Sequence, residues 1–371
     1  MTDPITFIGA RVFDGERFAG ESLTVAGGRV AAVGEPARGA VVDLGGGVLA
    51  PGLLDLQVNG AGGRAVDGGA DAAGLAAICA TMARVGATGV LPTLITDAPE
   101  ATARVLAAGI EAVGAPGFLG LHLEGPHLDP RRKGAHDAAL IRPMEEADLR
   151  ALQEAARRLP TLMVTLAPEA ATPAQVARLV AAGVVVSLGH TECTCAQAGA
   201  LFAAGASCVT HLFNAMSQMT ARAPGLVGAV LGGAPFAGLI ADGVHVAPAT
   251  LRAALRARPD GLFLVSDCMA LAGTNATEMR LGGRRILRRD GRLTLEDGTL
   301  AGADLTLPQA IATLVALDVP LEQALAMATS VPARAIGREG ALGRLLPGRV
   351  ADLTHLRDDG TVRAWRAGVP V

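Results

Sequence analysis

Residues 50–60, APGLLDLQVNG, mark the point at which the character of the chain changes. Before them, residues 5–49 alternate short β-type runs with glycine turns, which predicts a small all-β unit. After Pro51, short apolar runs alternate with Ala- and Leu-rich helical stretches, the pattern of βα units on a parallel sheet. The stretch itself is the predicted first strand of that sheet. It ends in two amides, Gln57 and Asn59, which project from the same face of an extended chain.

Eight apolar runs of this kind follow one another, which is the number of strands in a TIM barrel of about 250 residues. They cover residues 52–58, 87–94, 118–124, 162–168, 184–190, 208–214, 236–242 and 261–267. The tail returns to short β runs, and the segment 280–300 has the pattern of an inserted hairpin. The sequence therefore predicts an α/β protein, a (β/α)8 TIM barrel with a small β-sandwich domain formed from both chain ends. The predicted bounds are 1–50 and 336–371 for the small domain and 51–335 for the barrel.

Composition excludes several classes of protein. The 371 residues are 50% hydrophobic, so the chain is not disordered, and the net charge of −3 provides no electrostatic footprint for nucleic acid or an anionic membrane. No apolar run approaches the roughly 20 residues of a membrane span, and no signal-peptide pattern is visible at the N-terminus. The five cysteines have neither a C-x-x-C pair nor disulfide-like spacing. We therefore expect a cytoplasmic protein with reduced thiols and with no nucleic-acid or membrane partner.

The polar residues of the predicted barrel collect at the carboxyl ends of its strands, where active sites of this fold lie. Glu124, His190 and His211 end the third, fifth and sixth strands. One carboxylate with two imidazoles is a zinc ligand set that leaves a position for water, whose pKa the ion lowers to about 7. Asp267 ends the eighth strand and is placed to take a proton from that water and pass it to a leaving group. Taken singly, each of these residues could simply make a loop hydrogen bond or cap a turn. Because three of them lie at the ends of strands that converge, a metal site is the favoured interpretation.

Eight motifs follow in order along nearly the whole chain: LDLQVNGAGG, LHLEGPHLDPRRKGAH, SLGHTECT, THLFNAM, RAPGLVGA, ADGVHV, LVSDCMALAG and LAGADLT. Together they resemble the N-acetylglucosamine-6-phosphate deacetylases of the amidohydrolase superfamily. The resemblance implies hydrolysis of the acetamide of N-acetyl-D-glucosamine 6-phosphate to D-glucosamine 6-phosphate and acetate. It also implies one divalent metal per subunit, for which we expect Zn²⁺, with Fe²⁺, Co²⁺ and Mn²⁺ as alternatives.

The resemblance extends to further site residues, matched motif by motif. His136, in KGAH, resembles the side chain that contacts the substrate carbonyl and stabilises its developing negative charge. Asn214 and Ala215, in FNAM, resemble residues that touch the sugar phosphate, and Arg222 resembles a phosphate contact. His245, in DGVHV, resembles a phosphate contact supplied by the neighbouring subunit, which implies a homodimer. Without the resemblance, His136, Arg222 and His245 would be interpreted as ordinary loop residues.

The amide pair bears on the number of metals. Two-metal amidohydrolases usually carry a His-x-His pair at the end of the first strand, where this chain has Gln57 and Asn59. Amides are weak metal ligands beside imidazoles, so we expect a single ion and assign both amides to the substrate-binding residues. The sequence departs from the family pattern in two places. Residues 192–195 could form a metal site with thiol ligands but are more simply interpreted as the start of a helix. Residues 268–271 alter the expected shape of the sugar pocket.

Three alternatives remain open from the sequence. The same fold and metal could act on another N-acyl amino-sugar phosphate or on a cyclic amide. A non-catalytic relative that serves as an assembly subunit would be expected to lose metal ligands or the eighth-strand Asp, and this chain keeps them. A metal-free barrel enzyme with a Schiff-base lysine finds little support, since the only lysine is Lys133, in a predicted loop.

Overall fold

The structure, a computed structural model, describes residues 3–233, 235–281 and 283–371. The two ends of the chain pair into one eight-stranded sheet, the predicted small β-sandwich domain. Its strands are β1 (Ile5–Phe13), β2 (Phe18–Ala26), β3 (Arg29–Val33), β4 (Ala40–Asp43), β5 (Val48–Pro51), β20 (Leu353–Leu356), β21 (Val362–Arg366) and β22 (Val369–Pro370). Antiparallel pairing of β5 with β20 joins the two chain ends. The rings of Phe7 and Trp365 meet edge to face, with centroids 5.3 Å apart, in a core that is separate from that of the barrel.

Eight parallel strands form the barrel, and each overlaps one of the eight predicted runs. They are β6 (Leu53–Val58), β9 (Ala87–Ile95), β10 (Leu121–Glu124), β11 (Leu162–Leu166), β12 (Val185–Leu188), β13 (Cys208–Val209), β14 (Phe236–Leu239) and β15 (Leu262–Leu264). A short hairpin, β7 (Gly60–Ala61) with β8 (Arg64–Ala65), follows the first of them. The side chains of the eight barrel strands are almost entirely buried, because helices cover the outer face of the barrel. This is why these strands appear in the sequence as continuous apolar runs.

The barrel closes between its first and eighth strands at the carboxyl end. Asp267 N–H donates to the carbonyl of Gln57 at 3.1 Å, and Asn59 N–H donates to the carbonyl of Cys268 at 2.9 Å. At the other end, β6 and β15 bond instead to residues 327–328, which lie between the last two helices of the barrel: Leu54 N–H donates to the carbonyl of Ala328 and Leu264 N–H to that of Met327. Closure therefore brings Gln57, Asn59 and Asp267 together at one rim. The fold confirms the predicted (β/α)8 barrel with a small β-sandwich domain.

One helix follows each barrel strand, and two short helices end the barrel. The helices are α1 (Ala72–Arg84), α2 (Pro99–Glu111), α3 (Glu146–Ala156), α4 (Pro173–Ala181), α5 (Cys195–Ala203), α6 (Gly225–Leu231), α7 (Pro248–Ala257), α8 (Leu307–Ala316), α9 (Leu321–Ala326) and α10 (Ser330–Ala335). Thr194 and Gln197 form a capping box at α5, so Cys195 is the first residue of that helix. None of the helices in the described part of the chain has the length and apolar character that a membrane span requires.

The segment predicted as a hairpin over residues 280–300 is larger than expected. It is a four-stranded antiparallel sheet, the inserted sheet, of β16 (Glu278–Leu281), β17 (Arg284–Arg289), β18 (Arg292–Leu295) and β19 (Leu300–Ala303). Asp290 and Gly291 join its central strands with φ values of 50° and 68°, as an Asp-Gly hairpin turn requires. The domain bounds at 50/51 and 335/336 remain a prediction; β5 ends at Pro51 and α10 at Ala335.

Candidate active site

Three predicted metal-ligating side chains converge at the carboxyl end of the barrel. Glu124 is the last residue of β10, and His190 and His211 each lie two residues beyond the ends of β12 and β13. Glu124 Oε1 is 3.0 Å from His190 Nε2 and 2.8 Å from His211 Nε2, and the two Nε2 atoms are 3.1 Å apart. All three residues are buried. The barrel therefore brings one carboxylate oxygen and two imidazole nitrogens to a single point, as the sequence predicted.

The hydrogen bonds of His190 show that this group suits a divalent cation. Its Nδ1 lies 2.7 Å from the carbonyl oxygen of Arg132, which only accepts, so Nδ1 carries the proton. In the neutral ring, Nε2 then presents a lone pair towards Glu124 Oε1, also an acceptor. Two acceptors facing each other over 3.0 Å fit a cation between them, and a carbonyl behind the far nitrogen is the usual support of a metal-binding histidine.

The electrostatics of the cluster also call for positive charge. Burial opposes ionisation of Glu124, but the adjacent His190 and His211 imidazoles outweigh burial and hold its pKa well below the usual range. Burial likewise disfavours charge on His211, yet the adjacent carboxylate raises the pKa of its imidazole to about 9. The protein therefore buries an anion here. A protonated His211 or a bound metal ion can balance it.

Asp267 lies across the same cavity and is held by the amide pair. Its Oδ1 accepts hydrogen bonds from Gln57 Nε2 at 3.1 Å and Asn59 Nδ2 at 2.7 Å, and Gln57 Nε2 also lies 3.3 Å from Glu124 Oε1. Within the described residues Oδ2 has no hydrogen-bond partner, which leaves one oxygen free to exchange a proton. Burial, and next the negative charge of Glu124, raise the pKa of Asp267 to about 6.

His136 is buried in the cavity wall and presents a hydrogen-bond donor to it. Its Nδ1 accepts the backbone N–H of Thr96 at 3.2 Å, and Thr96 Oγ1 is 2.8 Å away, so the neutral ring carries its proton on Nε2. That nitrogen lies 3.8 Å from Glu124 Oε2. Burial, followed by the neighbouring His190 imidazole, lowers the pKa of His136 to about 3, which keeps the ring neutral. The geometry is that of a fixed N–H donor beside the metal-ligating group.

The residues assigned to the sugar phosphate are only partly brought together. Asn214, Ala215 and His245 line the cavity with Asn59, whereas Gln57 is not among its lining residues. Arg222 is exposed on the loop between β13 and α6 and does not line the cavity.

The sequence resemblance implied that His245 reaches the site of a neighbouring subunit, but its position in the structure is different. His245 lines the cavity of its own chain because it follows β14 of the same barrel. Asp242 Oδ2 accepts from its Nδ1 at 2.6 Å, and Asp242 Oδ1 accepts its backbone N–H at 2.8 Å. The side chain is thereby oriented within its own subunit, and a partner subunit is not needed to place it.

The backbone is strained where these side chains emerge. His190, His211, Ala215 and Asp267 have φ values of 48°, 28°, 51° and 49°, in the left-handed region that residues with a Cβ seldom occupy. Strain of this kind persists where the surrounding structure over-determines it, and it clusters at functional sites. Four such residues around one cavity support its assignment as the active site.

Several residues that position the site were missed by sequence reasoning. Thr96, which holds His136, directly follows β9, so the rule of polar residues at strand ends could have found it. Arg132 acts through its backbone carbonyl, which no residue type reveals. The inserted sheet supplies cavity-lining residues from β16 and β19, and its hairpin-like pattern contains no signal for that role.

Comparisons with known proteins agree with this geometry. The model of the amidohydrolase family matches residues 48–364. An N-acetylgalactosamine-6-phosphate deacetylase of Shewanella sp. (strain ANA-3) is 38% identical over 87% of this chain and 82% of its own length. Human N-acetylglucosamine-6-phosphate deacetylase is 34% identical over 97% and 93%.

A solved structure extends the similarity to the fold. The crystal structure of N-acetylglucosamine-6-phosphate deacetylase from Pasteurella multocida has a TM-score of 0.95, with 32% identity and 99% coverage of both chains. The resemblance inferred from the sequence motifs is thus confirmed. The chain belongs to the amidohydrolase family.

Proposed function

We propose that the protein hydrolyses the acetamide of N-acetyl-D-glucosamine 6-phosphate to D-glucosamine 6-phosphate and acetate. The observation that carries this proposal is the arrangement of Glu124, His190 and His211 with His136 and Asp267 around one cavity. This set combines a metal-ligating group, a neutral N–H donor and a carboxylate with a free oxygen, which are the parts that amide hydrolysis requires. The deacetylase relatives support the choice of an amino-sugar phosphate as substrate.

Glu124, His190 and His211 would hold one divalent ion, for which we propose Zn²⁺ with Fe²⁺, Co²⁺ or Mn²⁺ as alternatives. When bound, such an ion polarises the acyl carbonyl and makes a water molecule more acidic. Gln57 and Asn59 take the place of further imidazole ligands and donate instead to the carboxylates. We therefore propose a single ion per chain.

Asp267 is the proposed general base and acid. Its Oδ2 takes a proton from the attacking water as the water oxygen bonds to the acyl carbon, and the amides on Oδ1 hold the carboxylate in place. As the bond between carbon and nitrogen breaks, Asp267 passes that proton to the departing amine. The carboxylate is thereby regenerated, and the products are acetate and the free amino sugar phosphate.

His136 is the proposed donor to the carbonyl oxygen, and its removal should slow the reaction strongly. We expect His136→Phe to lower kcat by about 100- to 1,000-fold, because one preorganised donor to a developing oxyanion is lost. His136→Gln, which can return an N–H, should recover part of that loss. Acetate release measures both variants, and a His136→Phe enzyme within about fivefold of the wild-type kcat would contradict the assignment.

The sugar and its phosphate are proposed to lie towards Asn214, Ala215 and His245, which line the cavity. Arg222 remains a proposed phosphate contact, although it is exposed outside the cavity of its own chain. In a homodimer, Arg222 of the partner subunit would make this contact. We also propose a cytoplasmic location, in keeping with five free cysteines.

A second candidate substrate is N-acetyl-D-galactosamine 6-phosphate, since the 38% identical relative from Shewanella is a deacetylase of that epimer. Turnover of the two epimers and of unphosphorylated N-acetylglucosamine distinguishes the candidates. We expect the highest kcat/KM with N-acetylglucosamine 6-phosphate and a loss of about 10- to 100-fold or more without the phosphate, as charged hydrogen bonds disappear. A preference for the galactose epimer would favour the second candidate, and no acetate from either phosphate would contradict both.

A further inference from the structure

The active-site cavity, of about 270 Å³, has a polar and an apolar side. The polar side carries the groups described above. Most of the apolar lining comes from six residues: Ile95, Ala135, Met269, Leu281, Leu300 and Ala301. Three of these, Leu281, Leu300 and Ala301, belong to the inserted sheet, for which the proposed chemistry has no use. We call these six residues the apolar wall.

The apolar wall lies beside the groups that would act on the acyl carbon. Ala135 directly precedes His136 in the chain, and Met269 follows Asp267 by two residues. The inserted sheet is bonded to the same place, because Ala303 N–H donates to the carbonyl of Asp267 at 2.9 Å. An acyl carbon that lies between His136 and Asp267 therefore shares the cavity with this wall, which is placed to meet its substituent.

The wall is closed by packing behind it. Met269, Leu281 and Ala301 are 3%, 9% and 1% exposed and form one apolar cluster. The residues behind them in that cluster are Leu271, Ile286 and Leu293. A tightly packed interior does not readily make room for an extra methylene. We therefore expect the wall to exclude an acyl chain longer than acetyl.

Two contacts fix the inserted sheet in this position. The Arg284 guanidinium donates to the carbonyl of Ala135, next to His136. At Gly302, whose φ is 67°, a Cβ would lie 2.6 Å from Met269 Cγ, so the sheet approaches Met269 as closely as a glycine allows. The wall is therefore anchored to both segments that carry the reacting side chains.

We propose that the apolar wall receives the hydrocarbon part of the acyl group and restricts it to acetyl, with Met269 and Leu281 as the residues that set its length. This inference rests on the proposed deacetylase function and adds the acyl specificity of the same site. The carbonyl oxygen goes to His136, the amine side to the sugar, and the remaining substituent meets only apolar side chains. One extra methylene in such a pocket changes kcat/KM by about 10- to 200-fold.

The test compares N-acetyl-, N-propionyl- and N-butyryl-glucosamine 6-phosphate as substrates for Met269→Ala, Leu281→Ala and the wild type. We expect the wild type to prefer acetyl over propionyl by at least about 10-fold in kcat/KM, and each variant to reduce that preference by about 10-fold. Leu152→Ala is the matched control, because Leu152 is a buried leucine of the barrel that neither belongs to this cluster nor lines the cavity. It should leave the ratio within about twofold, whatever it does to stability.

The outcomes separate this inference from the proposed function. A wild-type ratio near one, an unchanged ratio in both cavity-lining variants, or an equal change in Leu152→Ala would overturn the inference while acetate release upholds the function. No release of acetate from N-acetylglucosamine 6-phosphate or its galactose epimer by the wild type would overturn both. If one alanine variant does not fold, the other variant and the wild-type ratio still decide the matter.

Discussion

Replacing Asp267 by Asn is expected to lower kcat by about 1,000-fold or more and to leave the metal bound. An amide cannot accept a proton from water at neutral pH, and general acid–base catalysis contributes roughly 100- to 10,000-fold. The substitution keeps the shape of the side chain and an oxygen that Gln57 and Asn59 can still bond, so the cavity should remain intact. The KM should change little. Acetate release and the metal content of the purified variant are the two measurements.

The matched control is Asp148→Asn, which removes a carboxylate paired with Arg142 outside the cavity. Its kcat should stay within about twofold of the wild type, because Asp148 and its half-buried ion pair with Arg142 lie outside the cavity in which the reaction takes place. A near wild-type kcat in Asp267→Asn would remove Asp267 from the mechanism. Loss of the metal in that variant would instead indicate that Asp267 serves the metal site.

Replacing Glu124 by Gln is expected to abolish stable metal binding and, with it, turnover. Glu124 Oε1 is the only carboxylate oxygen that meets both His190 and His211 within the described residues, and a neutral amide is a weak ligand beside two imidazoles. Even changes to residues that merely orient a ligand cost about 10- to 100-fold in metal affinity, so loss of a ligand should cost at least that much. Bound metal after dialysis and acetate release at a fixed free-metal concentration measure the effect.

Glu192→Gln provides the comparison, because Glu192 lies two residues beyond His190 but pairs with Arg132 and not with the cluster. It should retain one metal per chain. A Glu124→Gln protein that binds one equivalent as tightly as the wild type would show that the ion lies elsewhere.

Much of the barrel could be predicted from the sequence, because strands buried on both faces must be apolar along their whole length. The manner of its closure could not, since it depends on Met327 and Ala328, which enter between β6 and β15 from a distant part of the chain. The inserted sheet was underestimated for a related reason. Its outer strands, Glu278–Leu281 and Leu300–Ala303, are only four residues long, and the second consists of Leu, Ala and Gly, so neither gives a strong strand signal in the sequence.

The candidate site was predictable where side chains lie at a strand end or just beyond it, as Glu124 and Asp267 do. The same rule also points to His122, but there the imidazole is satisfied inside the barrel by Leu56 and Thr165. The hydrogen-bonding role of the amide pair could not be foreseen, because it depends on the register that closes the barrel. The position of a residue at a strand end does not reveal which loops and backbone groups orient its side chain.

The central claim is that one metal ion, held by Glu124, His190 and His211, enables this chain to deacetylate an amino-sugar phosphate. The most direct measurement is acetate release from N-acetyl-D-glucosamine 6-phosphate by protein stripped with a chelator and then titrated with Zn²⁺. We predict that stripping abolishes the activity and that one equivalent of Zn²⁺ per chain restores it fully. Full activity in the stripped protein, or recovery only after two tightly bound equivalents, would contradict the account.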